Sequence, residues 1–401
     1  MPGYQDLLRT PGVARIIAAQ LTARFPNGMT SLALLLHIEQ TTGSYGAAGL
    51  VLAATSVGQA VAGPVTSRWM GLWGIRRVLT LTTAVCVLAL LVLALVPMPL
   101  PGAVVFGLVA GLSTPPVQPA VRTIYPKLVT SRQLTPLFSL DASLQEIIWI
   151  LAPVVTTFVA TQVGTVPALL MIVVILVGGG AWFILSPEVG RVRIPRSRRT
   201  FGTVLKEPVV LLATVLGLLV IGACAAVEAA AVATFGHDGA EAGLVLAVFA
   251  VGSLIGGLAF GHLPIGPWAM ARRIAILAVG LSVTVISLSV WWLGASLFVA
   301  GIGIAPALAV MFAMTSASVK FSETPEAYGW IGTGQLIGAA AGSAVAGFLI
   351  DGTGPVGAYL AAAAFAAVGV VVAVVFVRGF PDLRGRDITP APDTEPVGTI
   401  T

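Results

Sequence analysis

The sequence predicts an all-α integral membrane protein with twelve transmembrane helices in two pseudo-symmetric six-helix bundles. Three observations predict it. First, 57% of the 401 residues are AVILMFWYC and 9% are charged, whereas an ordinary soluble chain is about 45–50% apolar, glycine included, and about 25% charged. A water-facing shell cannot be built from so few polar residues. Second, cutting the chain at Gly, Pro and charge clusters leaves twelve stretches near the ~20 apolar residues that a bilayer-crossing helix requires. Third, the halves repeat. AGLVLAATSVGQAVAG (48–63) matches AGLVLAVFAVGSLIGG (242–257), and a second match sets Gly111 on Gly301, Pro116 on Pro306 and Gln145 on Gln335. The offsets are 194 and 190, so one six-span unit is duplicated in parallel orientation, as in two-lobed transporters with a midplane site.

The first span, 12–38, follows Arg9 and Arg15 but lacks a short apolar run ending in a small-residue cleavage site, so it is read as retained. Gln20, Arg24, Asn27 and Ser31 recur on one of its faces. The second, 46–68, carries Thr55, Gln59 and Thr66 on one face, and the third is 78–97. The fourth, 102–124, holds Thr114, Gln118 and Arg122 at intervals of four and is bent by Pro115, Pro116 and Pro119. The fifth and sixth are 136–160 and 166–185. The one long charged connection, SPEVGRVRIPRSRRTFGTVLKE (186–207), separates them from spans at 208–235, 242–263, 273–293, 296–319, 328–349 and 356–378. The organisation is therefore an N-terminal bundle (1–185), a cytoplasmic central loop (186–207), a C-terminal bundle (208–380) and a cytoplasmic tail (381–401) whose Pro, Asp and Thr content reads as disordered.

Orientation follows from Lys and Arg. Nineteen of the 21 lie in the termini and the loops on their side, Arg122 sits near the same end and Arg24 within span one. The opposite loops carry Glu39, Asp238, Glu241 and Asp351 instead. Both termini are thus expected in the cytoplasm and the protein in the plasma membrane. Net charge +5 is spread thinly and marks topology rather than nucleic-acid binding. Cys86 and Cys224, in apolar runs, are expected as inert thiols, and no spacing supports a metal or cofactor. His37, His237 and His262, at span ends, are expected at the membrane interfaces.

The loop GPVTSRWMGLWGIRRVL (63–79) resembles the inner gating motif of the major facilitator superfamily through Gly63, Arg68, Gly74, Arg76 and Arg77, with Gly71 and Leu72 where the motif has Asp-Arg. GLVAGLSTPP (107–116) and LAPVVTTF (151–158) are similar to parts of its antiporter motifs in spans four and five. With the six-plus-six organisation, the resemblance extends from about residue 10 to 380. TGSYGAAGL (42–50), PPVQPAVRTIYPKLV and SLDASLQEIIW further resemble a group of actinobacterial efflux permeases. The resemblance implies alternating access and an inner gate at Arg68, Arg76 and Arg77. It also implies that spans one and five meet, which allows an Arg24–Glu146 pair.

Ionisable groups at membrane depth cost about 2.5–3.5 kcal/mol each on insertion scales. Arg24, Glu146 and Glu228 are such groups. Glu146 shares its face with Ser139 and Ser143, while Asp141 and Gln145 stand on an adjoining face and Trp149 lies one turn on. Pairing would favour the charged forms and burial the neutral acid, so a Glu146 caught between the two could carry protons, whereas a permanent ion pair would fix the bundle. Glu228 has only small or apolar helical neighbours, Ile221, Cys224, Ala231 and Val232, so it is either protonated or faces a water-filled cavity. Arg122 either snorkels to headgroups or meets Asp141 at the inner gate.

The proton-coupling candidates are Glu228 and Glu146. The cavity candidates are Gln20, Arg24, Asn27, Ser31, Thr55, Gln59, Gln118, Gln145, Trp149, Trp330 and Gln335, and the inner-gate candidates are Arg68, Arg76, Arg77, Arg122 and Asp141. Few charges and several aromatic walls suit small apolar or amphipathic compounds. The expectation is a monomeric, proton-coupled exporter of such compounds, working in the bilayer without cofactor. The alternative is a uniporter or importer of a polar metabolite. No HExxH, GxSxG or Walker lysine occurs, so an enzyme is not expected.

Overall fold

Because a bilayer offers no hydrogen bonds to exposed peptide groups, each spanning segment must satisfy its own backbone, and the chain does so with helices. A computed structural model describes residues 4–236, 240–261 and 263–393. The helices in order are α1 (Tyr4–Arg9), α2 (Val13–Thr42), α3 (Tyr45–Trp73), α4 (Ile75–Leu95), α5 (Leu100–Leu112), α6 (Val117–Leu128), α7 (Ser131–Gln162), α8 (Thr165–Leu185), α9 (Pro187–Arg191), α10 (Pro208–Phe235), α11 (Ala240–Phe260), α12 (Ala269–Ser282), α13 (Val290–Ile302), α14 (Ile304–Ser318), α15 (Thr324–Thr353) and α16 (Pro355–Val375).

Local chemistry sets their ends. Ser44 caps α3 by accepting the Ala47 N–H at 3.2 Å, and Thr130 with Gln133 forms a capping box on α7. Gly43 ends α2 at φ 68°, a left-handed conformation that a side chain resists. Span four, expected as one bent segment, is two helices: Ser113–Pro116 interrupt it, because prolines lack the N–H and crowd the preceding turn. Span ten breaks at Gly303, the position 190 residues on from Ser113. Eleven segments among the described residues are long and apolar enough to cross a bilayer. Helix α2, at 30 residues, is long enough too, but Gln20, Arg24, Asn27 and His37 dilute its apolar character.

The duplication read from the sequence reappears as matching contacts. A Cβ on Gly58 would lie 2.6 Å from the Leu108 carbonyl oxygen, and one on Gly252 would collide with the carbonyl of Phe298, which is Leu108 plus 190. Gly63 packs on Gly329 and Thr333 of α15, while Gly257 packs on Ser143 of α7, which is Thr333 minus 190. Glycines therefore bring α3 onto α5 and α11 onto α13, and they also bring the two halves together as α3 on α15 and α11 on α7. We expect Gly58→Leu to destabilise the protein by about 1–3 kcal/mol through forced separation of α3 and α5. Gly49→Leu, with nothing within 4 Å of its Cβ, should be neutral. Monodisperse yield on size-exclusion chromatography compares them, and equal yields would refute the close-packing account.

His37, near a span end as expected, is buried against neighbouring span ends, its ring held between Thr165 Oγ1 and the Leu93 carbonyl, each at 3.1 Å. His237, Asp238 and His262 lie outside the described residues. Within the tail, residues 381–393 are docked rather than free: Leu383 and Ile388 are buried, and the Leu383 N–H donates to Ile265 O at 2.9 Å. A few apolar side chains suffice to anchor a segment that its Pro and Asp content marks as polar. Residues 394–401 lie outside the described residues.

Candidate functional site

The polar stripe of span one faces span five and the kinked span four. Asp141, with no exposed side-chain surface, accepts from Arg24 Nη1 and Arg122 Nε at 3.1 Å each, from Gln20 Nε2 at 3.1 Å and from Tyr125 OH at 3.2 Å. Arg24 also donates to Gln20 Oε1 at 2.8 Å and to Gln145 Oε1, and the Gln118 amide oxygen, turned toward Arg122, accepts from that guanidinium. The two arginines are 3% and 2% exposed. One carboxylate thus holds two buried guanidiniums. Arg122 is stacked on Phe312 of α14, 3.4 Å from the ring centroid, so its surplus charge rests on an aromatic face of the other half of the chain.

This corrects the pairing allowed by the resemblance. Arg24 meets Asp141 and Gln145, not Glu146. Successive helical residues point about 100° apart, so Glu146 turns from span one toward α11, where Oε1 accepts from Ser253 Oγ at 2.9 Å. Ser253 Oγ in turn accepts the Ala305 N–H at 3.2 Å. Arg122 does not snorkel to headgroups; it is a member of the buried cluster. Gln20, Arg24, Gln118 and Gln145 belong to the same network rather than to a free cavity wall.

Glu228 is exposed on α10, on the face of Ile221 and Cys224. Glu146 and Glu228 are both acids at membrane depth, one on α7 and the other on α10. Among the described residues neither carboxylate has a salt bridge. Asn27 and Ser31 are exposed further along α2, and Trp149, 52% exposed, lies on the face of Gln145. Asn27, Thr55 and Gln59 line one small pocket with Thr30 and Thr114. Gln335 is half-buried beside Gly217 of α10. Among the described residues no group of three or more His, Cys, Asp or Glu converges as metal ligands would.

At the end that carries the termini, the halves are shut. Arg68 Nη1 contacts Glu326 Oε2 of α15 at 2.5 Å, and Gly202 N donates to Glu326 Oε1 at 2.7 Å. Arg199 pairs with Glu207 at 2.7 Å and Glu323 at 3.1 Å. These hold its guanidinium above the ordinary value, first through the Glu207 hydrogen bond and then through the Glu323 charge. Thr333 Oγ1 donates to Ala60 O at 2.6 Å, Ser139 Oγ to Gly257 O at 2.6 Å, and Tyr4 OH to the same carbonyl at 3.1 Å.

Of the expected gate residues, only Arg68 bridges the halves by an ion pair. Arg76 binds the carbonyls of Ile184, Leu185 and Ser186 at the C-terminus of α8, where a helix dipole favours a cation. Arg77 is exposed and has no ion pair among the described residues. Asp141 and Arg122 act in the buried cluster. Trp330, expected in the cavity, stacks on Phe201 at 5.7 Å and belongs to the gate. Glu323 and Glu326 were missed. Their signal was two acids three residues apart at the start of span eleven, Glu323 at the N-cap of α15 and Glu326 in its first turn.

We expect reversing the charges at Arg68 and Glu326 singly to loosen this end and the double reversal, Arg68→Glu with Glu326→Arg, to restore it. A coupling of about 0.5–3 kcal/mol is typical of contacting residues. A thermal-stability double-mutant cycle measures it, and strictly additive effects would dismiss the pair as a gate contact.

The sequence profile of the Major Facilitator Superfamily matches residues 16–233 and 225–397. Among solved structures, the chain is similar to a bacterial homologue of the iron transporter ferroportin in an outward-facing state. That likeness has a TM-score of 0.72 and 14% identity, covering 91% of this chain and 98% of that one. It is also similar to the human organic anion transporter MFSD10 (TETRAN), with TM-score 0.69, 14% identity and coverage of 90% and 100%. A third likeness is to the proton:xylose symporter XylE bound to 6-bromo-6-deoxy-D-glucose, with TM-score 0.69, 12% identity and coverage of 94% and 97%. At these identities the likeness is one of fold. No match was found among curated proteins.

Proposed function

This chain belongs to the major facilitator superfamily, a family of secondary transporters rather than enzymes, and from that premise we propose that it is a proton-coupled exporter of small apolar or amphipathic compounds. The observation that carries the reading is two acids at membrane depth, Glu146 bonded to Ser253 of the other half at 2.9 Å and Glu228 exposed on α10, with no salt bridge to either among the described residues. A carboxylate at membrane depth without a salt bridge favours holding a proton, and a change in its water access releases it. Coupling runs through these two acids, while Asp141 and its two arginines hold α2, α6 and α7 in register.

In this reading the closed end is cytoplasmic, as the Lys and Arg distribution supports. The state is then outward-open, with Asn27, Ser31, Trp149 and Glu228 reached from outside. The two units are the halves on either side of 186–207, rocking about the α3–α15 and α7–α11 seams. An apolar, tryptophan-bearing wall with few polar groups suits an amphipathic ligand better than a polar metabolite.

The test is proteoliposome flux of a fluorescent amphiphilic dye with and without an imposed pH gradient, run alongside a pyranine record of luminal pH. Dye accumulation driven by the gradient, with matching proton movement, is expected. Dye flux indifferent to the gradient would favour the uniporter reading.

A further inference from the structure

The tail crosses the seam that an alternating transporter must open. Leaving α16, the chain buries Phe380 and Leu383, and Leu383 N donates to Ile265 O at 2.9 Å in the connection between α11 and α12. It then reaches the other half of the molecule: Ile388 is buried and its N–H donates to Ser131 Oγ, the first residue of α7, at 2.9 Å. Finally it returns. Ala391 N donates to Val319 O at 3.1 Å and Ala391 O accepts from Phe321 N at 3.0 Å, a parallel bridge, while Asp393 Oδ1 accepts from Ser322 N at 3.3 Å. Phe321, fixed from one side by this bridge, carries the Lys127 ammonium of the N-terminal half 4.4 Å from its ring centroid.

We propose that residues 380–393 form a strap that holds the termini end of the transporter closed and has to release Ser131 before that end can open. Two anchors lie on the C-terminal half and one on the N-terminal half, so separating the halves stretches the strap between Ile388 and its neighbours on both sides. Leu383 is seated on the C-terminal half, so the stability tied to the shut seam is that of Ile388 at Ser131, and such a difference in contacts between two states is what shifts their populations. The strap is independent of which substrate moves and of whether protons drive it.

The reporter is Ser67→Cys in the full chain with Cys86→Ala and Cys224→Ala. Ser67 is fully buried and shares the face of Gly63 and Pro64 that meets α15, so its labelling by N-ethylmaleimide reads opening of this end. Ser31→Cys, exposed on α2, reads the other end. Leu383→Asp with Ile388→Asp should speed Ser67→Cys labelling about tenfold, the scale set by losing the one aliphatic side chain buried across the seam, Ile388, from one state. Ser31→Cys labelling should slow. A chain ending at Arg378 should behave alike, and Ser131→Ala, which breaks only the bond across the seam, should give a smaller change in the same direction. Unchanged Ser67→Cys labelling in the Asp variant would overturn the strap. So would faster labelling at both reporters, because that signals loosening of the whole bundle rather than a shift between its states.

Discussion

Asp141→Ala should be the most destabilising single substitution in the membrane core, by about 3–5 kcal/mol, the cost typical of leaving a buried charge without its partner. The asymmetry within the cluster makes the expectation specific. Removing Arg24 leaves Asp141 bound to Arg122 Nε at 3.1 Å and to Tyr125 OH at 3.2 Å, so the carboxylate stays satisfied. Removing Asp141 strands two guanidiniums, 3% and 2% exposed, against each other with only glutamines and the Phe312 ring for company. Arg24→Ala should therefore insert and fold yet fail to transport, because the bonds that Arg24 of α2 makes to Asp141 and Gln145 of α7 are lost. Arg24→Lys should rescue it only in part, since an ammonium cannot reproduce the planar fork that reaches Asp141 and Gln145 together. Denaturant titration of the purified proteins separates the two. If Asp141→Ala were as stable as Arg24→Ala, the carboxylate would not be the keystone of the cluster.

Glu228→Gln should abolish accumulation driven by a pH gradient while leaving dye binding and downhill exchange in place. The amide keeps the size and hydrogen-bonding capacity of the acid and removes its proton. Glu146→Gln is the informative companion. Its Ser253 contact can persist through the amide oxygen, so the lobe contact survives and only titration is lost. If the acid pair acts as one unit, either substitution should uncouple, and the double variant should be no worse than the singles. Dye accumulation at the parental level in Glu228→Gln would exclude it as the coupling group, and the same result in both singles would exclude the pair.

Much of this architecture was legible in the chain because membranes restrict the choices. A span must be helical and about 20 residues long, so composition and punctuation locate it. The repeats at offsets 194 and 190 located glycine crossings that the structure reproduces as Gly58 on Leu108 and Gly252 on Phe298. Periodicity correctly put Gln20 and Arg24 on one face and set Asp141 and Gln145 apart from Glu146.

What periodicity could not decide was the neighbour that each face meets. Rotation of α7 about its axis sends Asp141 and Gln145 to Arg24 and turns Glu146, one residue on, to Ser253 of the other half, a pairing between residues 107 apart in the chain. The same limit hid the gate acids. Glu323 and Glu326 are unremarkable near a span end until the chain brings Arg199 and Arg68 to them across 124 and 258 positions. It also hid the tail, where sparse apolar residues count for little by composition and gain their anchoring only from the distant neighbours that the fold brings to them, Ile265, Ser131 and Val319. The sequence by itself determined which groups exist at membrane depth and which of them share a helix face. The packing of helices from both halves decided which charges are neutralised, because pairing depends on distances of a few ångströms between segments whose relative rotation no local pattern encodes.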